Sequence, residues 1–447
     1  MNLFRLGLAY IRAKRAMAIR SRRKLEERQL RLLRRHFRFV LEHSPFYRRR
    51  FQEAMKGWDS PELTWERLQT LPLMDKETMM SHFDELNTAG IRKEEAFRLA
   101  WRAEETRDFT PQIGDVTVGL SSGTSNNRGL FLVSKEERER WAGTVLAKLL
   151  PGGVTRRESV AFFLRANSNL YTSVRQRRLT FAYYDLLEDL SAHVERLNRQ
   201  RPTILVAPPA VLSFLSEEKE RGRLNIAPVK VISVADVLDD RDRQKIEEQF
   251  GKPVHQIYQC TEGFLAATCS HGTLHLNEDI VHIEREWIDR ESGRFVPIIT
   301  DFCRRTQPII RYRLNDILVL SDKPCPCGSA MTAIDRVEGR CDDILYLKDA
   351  GNGQYRAVFP DFIRRAMWQA GDEILHYQVV QQAPDRIVVA FEERSGMDRR
   401  RMEEAIRSAF AQLFRRLKVE AATIRFAPYR HPPADRKLRR VKRIWSP

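Results

Sequence analysis

A chain of 447 residues, 42% of them hydrophobic, is long enough to bury a substantial core and to divide into two or three domains. Its formal charge of +17 sits at its ends: residues 1–50 hold 16 Lys/Arg against 3 acids and residues 430–447 hold 7 against 1, which leaves the intervening chain nearly neutral. Basicity confined to the ends argues against a nucleic-acid-binding fold, in which it would line a groove or a recognition helix.

In chain order, residues 1 to about 57 read as a basic helical segment, with Leu30, Leu33, Phe37 and Leu41 at three- and four-residue steps and a break at Ser44-Pro45. This segment suits an anionic lipid surface, an acidic partner or a tRNA-like polyanion, or simply packing on its own domain. Arg5 and Arg12 leave too short an apolar run for a signal peptide, and no later stretch approaches the roughly 20 apolar residues of a membrane span. The expected location is cytoplasmic, with the six Cys as reduced thiols or metal ligands.

Val116 to Ser134 carries two apolar runs around the loop Ser121-Ser122-Gly123-Thr124-Ser125-Asn126-Asn127-Arg128-Gly129. Glycines and four hydroxyls suit a phosphate cradle, although the same residues make an ordinary polar hairpin turn. A helix over 136–150 and a strand over 159–164 follow. Arg165, Asn167 and Asn169 then fall just past a strand end, either in a substrate pocket or in a turn. From 203 to 258, strands alternate with helices, which predicts right-handed crossovers and a parallel sheet. One sheet edge should then carry Ser233-Val234-Ala235-Asp236 and Tyr258-Gln259-Cys260-Thr261-Glu262-Gly263.

From 274 to 320 the pattern changes to short alternating strands, read as an antiparallel barrel or small sheet. The predicted fold is α/β. It has an N-terminal body over 1–342, with a parallel sheet and a small β-barrel-like region, and a small mobile α+β cap over 343–447. Cys269, His271, Cys325 and Cys327 could form a tetrahedral zinc site if the fold brings them together, and are otherwise isolated thiols at a turn. His275 is an alternative ligand, or lines the substrate pocket.

The order of SSGTSNNRG (121–129), YQCTEG (258–263), RYRLND (311–316), EGRCDD (338–343) and DRKLRR (435–440) resembles the adenylate-forming superfamily, in particular its phenylacetate–CoA ligase branch and the related deazaflavin-coenzyme adenylating synthetases. The resemblance implies an AMP-forming ligase that uses ATP and Mg²⁺. Ser121, Ser122, Gly123, Thr124 and Ser125 would hold the β- and γ-phosphates. Glu262, beside Thr261, would bind Mg²⁺. Ser233, Ala235, Asp236 and Tyr258 would flank adenine, and Gly263 would border the substrate pocket. Asp316 would take the ribose hydroxyls, Arg340 the ribose or phosphate, and Lys437 the α-phosphate, while Asp342 would be the hinge of the cap. Some relatives in this branch carry a structural zinc site.

Three departures stand out. The loop offers Asn126, Asn127 and Arg128 where the family has a second Gly and Pro-Lys, Leu314-Asn315 replaces Thr-Gly, and the Gly after Asp343 is displaced. The expected reaction is activation of a small, aromatic carboxylic acid as acyl-AMP with transfer to CoA, a carrier-protein thiol or an amine. The alternatives are adenylation of a phenolic deazaflavin hydroxyl or an inorganic oxyanion, and a non-catalytic scaffold that keeps the fold. Beyond substrate and acceptor, no nucleic-acid partner is expected, and the chain admits homodimerisation.

Overall fold

The computed structural model describes residues 2–56, 62–121, 128–164, 178–430 and 439–445. The chain divides into two compact units, Met1–Leu314 with Leu318–Val337, and Asn315–Ile317 with Glu338–Pro447.

The first unit opens with helices α1 (Leu3–Met17), α2 (Arg22–His43) and α3 (Pro45–Met55). Ser44 serves two helices. Its N–H donates to the Val40 carbonyl to end α2, and its Oγ accepts from the Tyr47 N–H to start α3, with Pro45 in the first turn where no N–H is needed. The predicted break is therefore a corner between helices. On α2, Leu33 and Phe37 are buried as expected, while Leu30 and Leu41 are only half-buried, because the inward stripe runs through Leu25, Gln29, Leu33, His36 and Val40. Short helices α4 (Trp65–Thr70), α5 (Lys76–Ser81) and α6 (Phe83–Leu86) precede α7 (Lys93–Thr106). A three-stranded sheet of β1 (Gln112–Ile113), β2 (Val116–Leu120) and β3 (Leu130–Val133) leads into α8 (Lys135–Leu149).

The alternation beyond it gives β4 (Glu158–Leu164), β5 (Leu179–Asp185), α9 (Leu190–Gln200), β6 (Ile204–Ala207), α10 (Pro209–Glu220), β7 (Lys230–Ser233), α11 (Asp240–Phe250) and β8 (Val254–Cys260). These strands pair in parallel in the order 5-4-6-7-8. Both faces are covered. Phe163, Leu205 and Val231 enter one core with α9, α10 and α11, whereas their neighbours Phe162, Val206 and Ile232 enter another with α8 and α1. Strand β5 has no counterpart in the sequence reading. It lies at the sheet's edge with only two of its seven residues buried, so it lacks a continuous apolar run.

Strands β9 (Gly263–Thr268), β10 (Leu274–Leu276), β11 (Val281–Asp289), β12 (Arg294–Asp301), β13 (Tyr312–Arg313), β14 (Asp316–Leu320) and β15 (Ala333–Arg340) continue the same sheet. The junction is β8, parallel to β7 on one side and antiparallel to β9 on the other. The barrel-like region read from the alternating pattern is thus continuous with the parallel half, as one twelve-stranded sheet.

In the second unit, β16 (Leu345–Lys348) pairs with β17 (Tyr355–Val358). Helices α12 (Pro360–Gln369) and α13 (Arg399–Leu417) share a core with β18 (Ile374–Ala383), β19 (Arg386–Glu393), β20 (Thr423–Pro428) and β21 (Val441–Arg443). Strand β21 shows that part of the basic tail is built into a sheet: Val441 is buried, and the Arg440 carbonyl accepts from the Val379 N–H. Among the described residues no helix is long and apolar enough to cross a membrane.

Candidate active site

Strands β6 and β7 end at Ala207 and Ser233 on one edge of the sheet, the edge where open α/β sheets bind ligands. Past Ser233 the backbone turns sharply: Ala235 has φ +71°, a left-handed conformation that costs a non-glycine residue about 1 kcal/mol, and the Asp236 N–H donates to the Val234 carbonyl. Tyr258 is buried within β8.

Thr261 and Glu262 are the two-residue turn of the β8–β9 hairpin, closed by the pair Cys260 and Gly263. The sequence placed them at the end of a parallel strand, and the antiparallel return through β9 fixes them more tightly than that. Thr261 Oγ1 donates to Glu262 Oε2 at 2.9 Å, and the Tyr312 hydroxyl hydrogen-bonds the same carboxylate. Burial, followed by the charge of Glu262, pushes the Tyr312 phenol far above its ordinary range, so it acts as a donor at any working pH. Arg304 Nη1 donates to the Thr261 carbonyl at 2.9 Å. At Gly263 a Cβ would stand 3.1 Å from Leu265 Cδ2 and 3.2 Å from Asp301 Oδ2, so glycine lets the buried Asp301 carboxyl approach the turn. Burial pushes Asp301 up to about 6.

Strands β2 and β3 are antiparallel, and just past their paired ends the Ser121 N–H donates to the Gly129 carbonyl (2.7 Å) and the Gly129 N–H to Ser121 Oγ (2.8 Å). Arg128 does not supply a spare cation there. Its guanidinium binds Glu104 through two bonds of 2.6 and 2.5 Å, and its Nε donates to the Ser121 carbonyl. A different cation is close by, for a Cβ on Gly129 would lie 3.1 Å from Lys76 Cε and 3.9 Å from its Nζ. Residues Ser122, Gly123, Thr124, Ser125, Arg165, Asn167, Asn169 and Lys437 lie outside the described residues.

Residues 304–307 tie β3 to the turn. Gln307 Oε1 accepts from the Leu132 N–H at 2.9 Å, Gln307 Nε2 donates to the Leu130 carbonyl at 3.2 Å, and Arg304 reaches both the Leu132 and Thr261 carbonyls. Glu137, in the capping box of α8, accepts from the backbone N–H groups of Arg305 and Thr306 and from Thr306 Oγ1. Trp141 Nε1 donates to Gln259 Oε1 at 3.2 Å. The strand leaving the loop, the helix after it and the Thr261-Glu262 turn therefore share one hydrogen-bonded frame.

In the second unit Arg340 Nε lies 4.0 Å from Asp316 Oδ1, the Cys341 N–H donates to the Asn315 carbonyl, and Asn315 Nδ2 donates to Asp342 Oδ2 at 2.8 Å. Asp343 accepts from the Arg340 N–H and binds the Arg439 guanidinium. Asp342 thus sits in a 3₁₀ turn, Cys341–Asp343, that is bonded at both ends.

No family model matches the chain. The phenylacetate-coenzyme A ligase of Thermus thermophilus is 22% identical over 387 residues, spanning 80% of this chain and 78% of that protein. Protein CapK of Staphylococcus aureus is 25% identical over 223 residues, 49% of this chain and 48% of its own. A crystal structure of 2-hydroxyisobutyryl-CoA ligase in the postadenylation state, with 2-HIB-AMP, shares the fold with a TM-score of 0.70 at 18% identity, covering 94% of this chain and 89% of that one. The chain is thus similar in sequence to a phenylacetate-coenzyme A ligase and shares the fold of adenylate-forming CoA ligases.

The chain has a second cluster, at the far end of β9. Cys269, Cys325, Cys327 and His275 place one ligand atom each within 4.8 Å of one another. The fourth position belongs to His275 and not to His271, whose side chain is exposed and whose backbone N–H donates to Cys269 Sγ. His275 lies between two leucines on β10, which turns its ring to the thiols, and its Nδ1 bonds the Met331 carbonyl at 2.9 Å, leaving Nε2 3.4 Å from Cys327 Sγ. Backbone N–H groups of Cys327 and Ser329 point at the sulfurs of Cys325 and Cys327. Burial opposes ionisation of Cys269, but bonds from His275 and from the His271 and Thr273 backbone outweigh it and hold the thiol below its ordinary value.

The sequence reading passed over Tyr312, Arg304, Gln307 and Lys76. Tyr312 lay inside a quoted motif and was thus visible. The other three act from segments whose proximity only the fold creates, and the one signal for Lys76 was that the loop itself has no lysine.

Proposed function

We propose that this adenylate-forming ligase activates a small, aromatic carboxylic acid with Mg-ATP and passes the acyl group to the thiol of CoA, or to a carrier-protein thiol or an amine. The observation that carries this reading is the shared frame of residues 304–307, which joins β3, the strand that follows the serine-rich segment, to the turn that carries Glu262. In the first half-reaction an oxygen of the substrate carboxylate attacks the α-phosphorus. The bond to the bridging oxygen breaks, and pyrophosphate leaves with the electron pair. In the second, the deprotonated acceptor thiol attacks the acyl carbon and AMP leaves. Both steps bring anions together, so positioning and charge neutralisation carry the catalysis.

Ser121, Ser122, Gly123, Thr124 and Ser125 donate to the β- and γ-phosphates, and Lys76, beside Gly129, adds a positive charge near them. Two hydroxyls hold Glu262 while leaving it acceptor capacity for Mg²⁺, a hard ion that neutralises phosphate charge when bound. Ser233, Ala235, Asp236 and Tyr258 form the adenine side, and the bend at Ala235 shapes it. Gly263, with Arg165, Asn167 and Asn169, borders the acid. Asp316 and Arg340 take the ribose, Lys437 the α-phosphate, and Asp342 is the pivot between half-reactions. The aromatic preference rests on the Thermus relative, whose name gives phenylacetate. Three thiols and an imidazole with its tautomer fixed suit a closed structural zinc site, held by Cys269, His275, Cys325 and Cys327.

The test is pyrophosphate release from Mg-ATP across aromatic, aliphatic and inorganic acids, with and without CoA, followed by mass spectrometry of the products. Release with an aromatic acid and a CoA thioester as product is the expected outcome. Release only with aliphatic acids would replace the substrate class, and an adenylate that CoA does not consume would replace the acceptor.

A further inference from the structure

Helix α1 has two apolar faces. Leu6, Ala9, Ala13 and Ala16 are buried, packed on α8, where the α1 backbone comes so close that a Cβ on Gly143 would lie 2.4 Å from the Leu6 carbonyl oxygen. At about 100° per residue, Phe4, Leu8 and Ile11 fall on the opposite side. Phe4 is 78% exposed, Ile11 47% and Leu3, beside them, 63%. Exposed apolar side chains occur singly on any protein, but three on one short helix, lying opposite its packed face, form a patch.

The charges that α1 itself carries are of one sign. Lys14 flanks the patch on one side and Arg12 and Arg5 on the other, Arg15 continues its line one turn beyond Ile11, and α1 contains no acidic residue. Arg5 lies 4.0 Å from Glu139, and Lys14 and Arg15 occupy the last turn, where they also complement the helix dipole.

We propose that the outward face of α1 docks on an anionic lipid surface, with Phe4, Leu8 and Ile11 in the headgroup boundary and Arg5, Arg12, Lys14 and Arg15 reaching lipid phosphates. An apolar centre with cationic flanks is the pattern of a helix lying in an interface: the long basic side chains keep their heads at the phosphates while the apolar side chains leave water. Lipid satisfies both requirements at once. A nucleic acid would neutralise the arginines but leave Phe4 and Ile11 in water. A second copy on a two-fold axis would bury them but bring Arg12 and Arg15 towards their own counterparts. The inference is independent of which acid the ligase activates.

The experiment is flotation of the full-length protein with phosphatidylcholine vesicles, with and without phosphatidylglycerol. The protein should bind the anionic vesicles at least about tenfold better than the neutral ones at low salt, and the preference should shrink as salt rises. Phe4→Ser with Ile11→Ser should abolish binding, and Arg12→Glu with Arg15→Glu should remove the preference for anionic lipid. Both variants should keep the wild-type unfolding midpoint, because the side chains point into solvent. Equal binding to both vesicles, or binding unchanged in Phe4→Ser/Ile11→Ser, would overturn the proposal. So would a dimer that this double variant dissolves, or retention on single-stranded RNA without vesicle binding.

Discussion

The turn before β9 and the cysteine cluster after it are separated only by Gly263–Thr268, yet they are built on opposite plans. At the turn, Glu262 is steadied by two hydroxyls and keeps oxygen lone pairs to spare. At the cluster, three thiols and an imidazole bring their ligand atoms within 4.8 Å of one another, a full tetrahedral set. One six-residue strand, spanning about 20 Å, thus links a group disposed for turnover to a group disposed for rigidity. If so, substitutions at the two ends should separate rate from stability.

The largest effect belongs to Glu262→Gln, which preserves shape and the acceptor oxygen for Thr261 and Tyr312 but removes the charge. Pyrophosphate release should fall about 10²-fold or more, as for loss of an electrostatic group at a reacting centre. The unfolding midpoint should stay near wild type. Near-normal turnover would remove Glu262 from the reaction.

Cys325→Ser should invert that signature. Zinc measured by mass spectrometry should drop from about one per chain to a trace, since structural zinc requires its full tetrahedral ligand set. The unfolding midpoint should fall by several degrees while the activity per folded molecule at low temperature persists. His271→Ala should change neither, because His271 contributes only its backbone N–H to the cluster. Metal loss in His271→Ala and retention in His275→Ala would reverse the assignment.

This contrast also bounds what the sequence could disclose. The parallel half of the sheet was legible because strands covered on both faces read as unbroken apolar runs, as in Ile204–Ala207. The edge strand β5 was not, since half-buried positions break that run. The motifs gave Glu262 and its neighbour directly, whereas the groups that fix them, Arg304 and Gln307, arrive through long-range packing that leaves no spacing signature. For the cysteine cluster, a Cys-X-His pair in sequence pointed to His271. The β10 pleat decides for His275, because alternation along a strand turns a histidine between two leucines away from the core.

A smaller effect is expected at Asp301, buried behind Gly263. Its folded-state value of about 6 lies above the ordinary 3.8, so the folded protein binds this proton more tightly than the unfolded chain. The associated stabilisation is complete below about pH 4 and is lost as pH rises through 6. Asp301→Asn, neutral throughout and still able to accept from the Cys303 N–H, should stabilise the protein by on the order of 1–3 kcal/mol at pH 7.5. That gain should vanish near pH 4. Denaturant titrations at the two pH values measure it, and an equal gain at both would mean that Asp301 does not titrate in this range.

The finest test of the contrast is Tyr312→Phe, which removes one hydroxyl from Glu262 and nothing from the cluster. A hydrogen bond of about 1 kcal/mol predicts a loss of about fivefold in pyrophosphate release, with zinc content unchanged. Because Tyr312 would act only through the Glu262 carboxylate, its effect should shrink in the Glu262→Gln background, where the charge it steadies is gone. The double-mutant cycle measures that coupling directly. A fivefold loss that persists in full beside Glu262→Gln would place the action of Tyr312 elsewhere, for instance in the packing of β13 on β12, and the turn would then owe its rigidity to Thr261 and Arg304 alone.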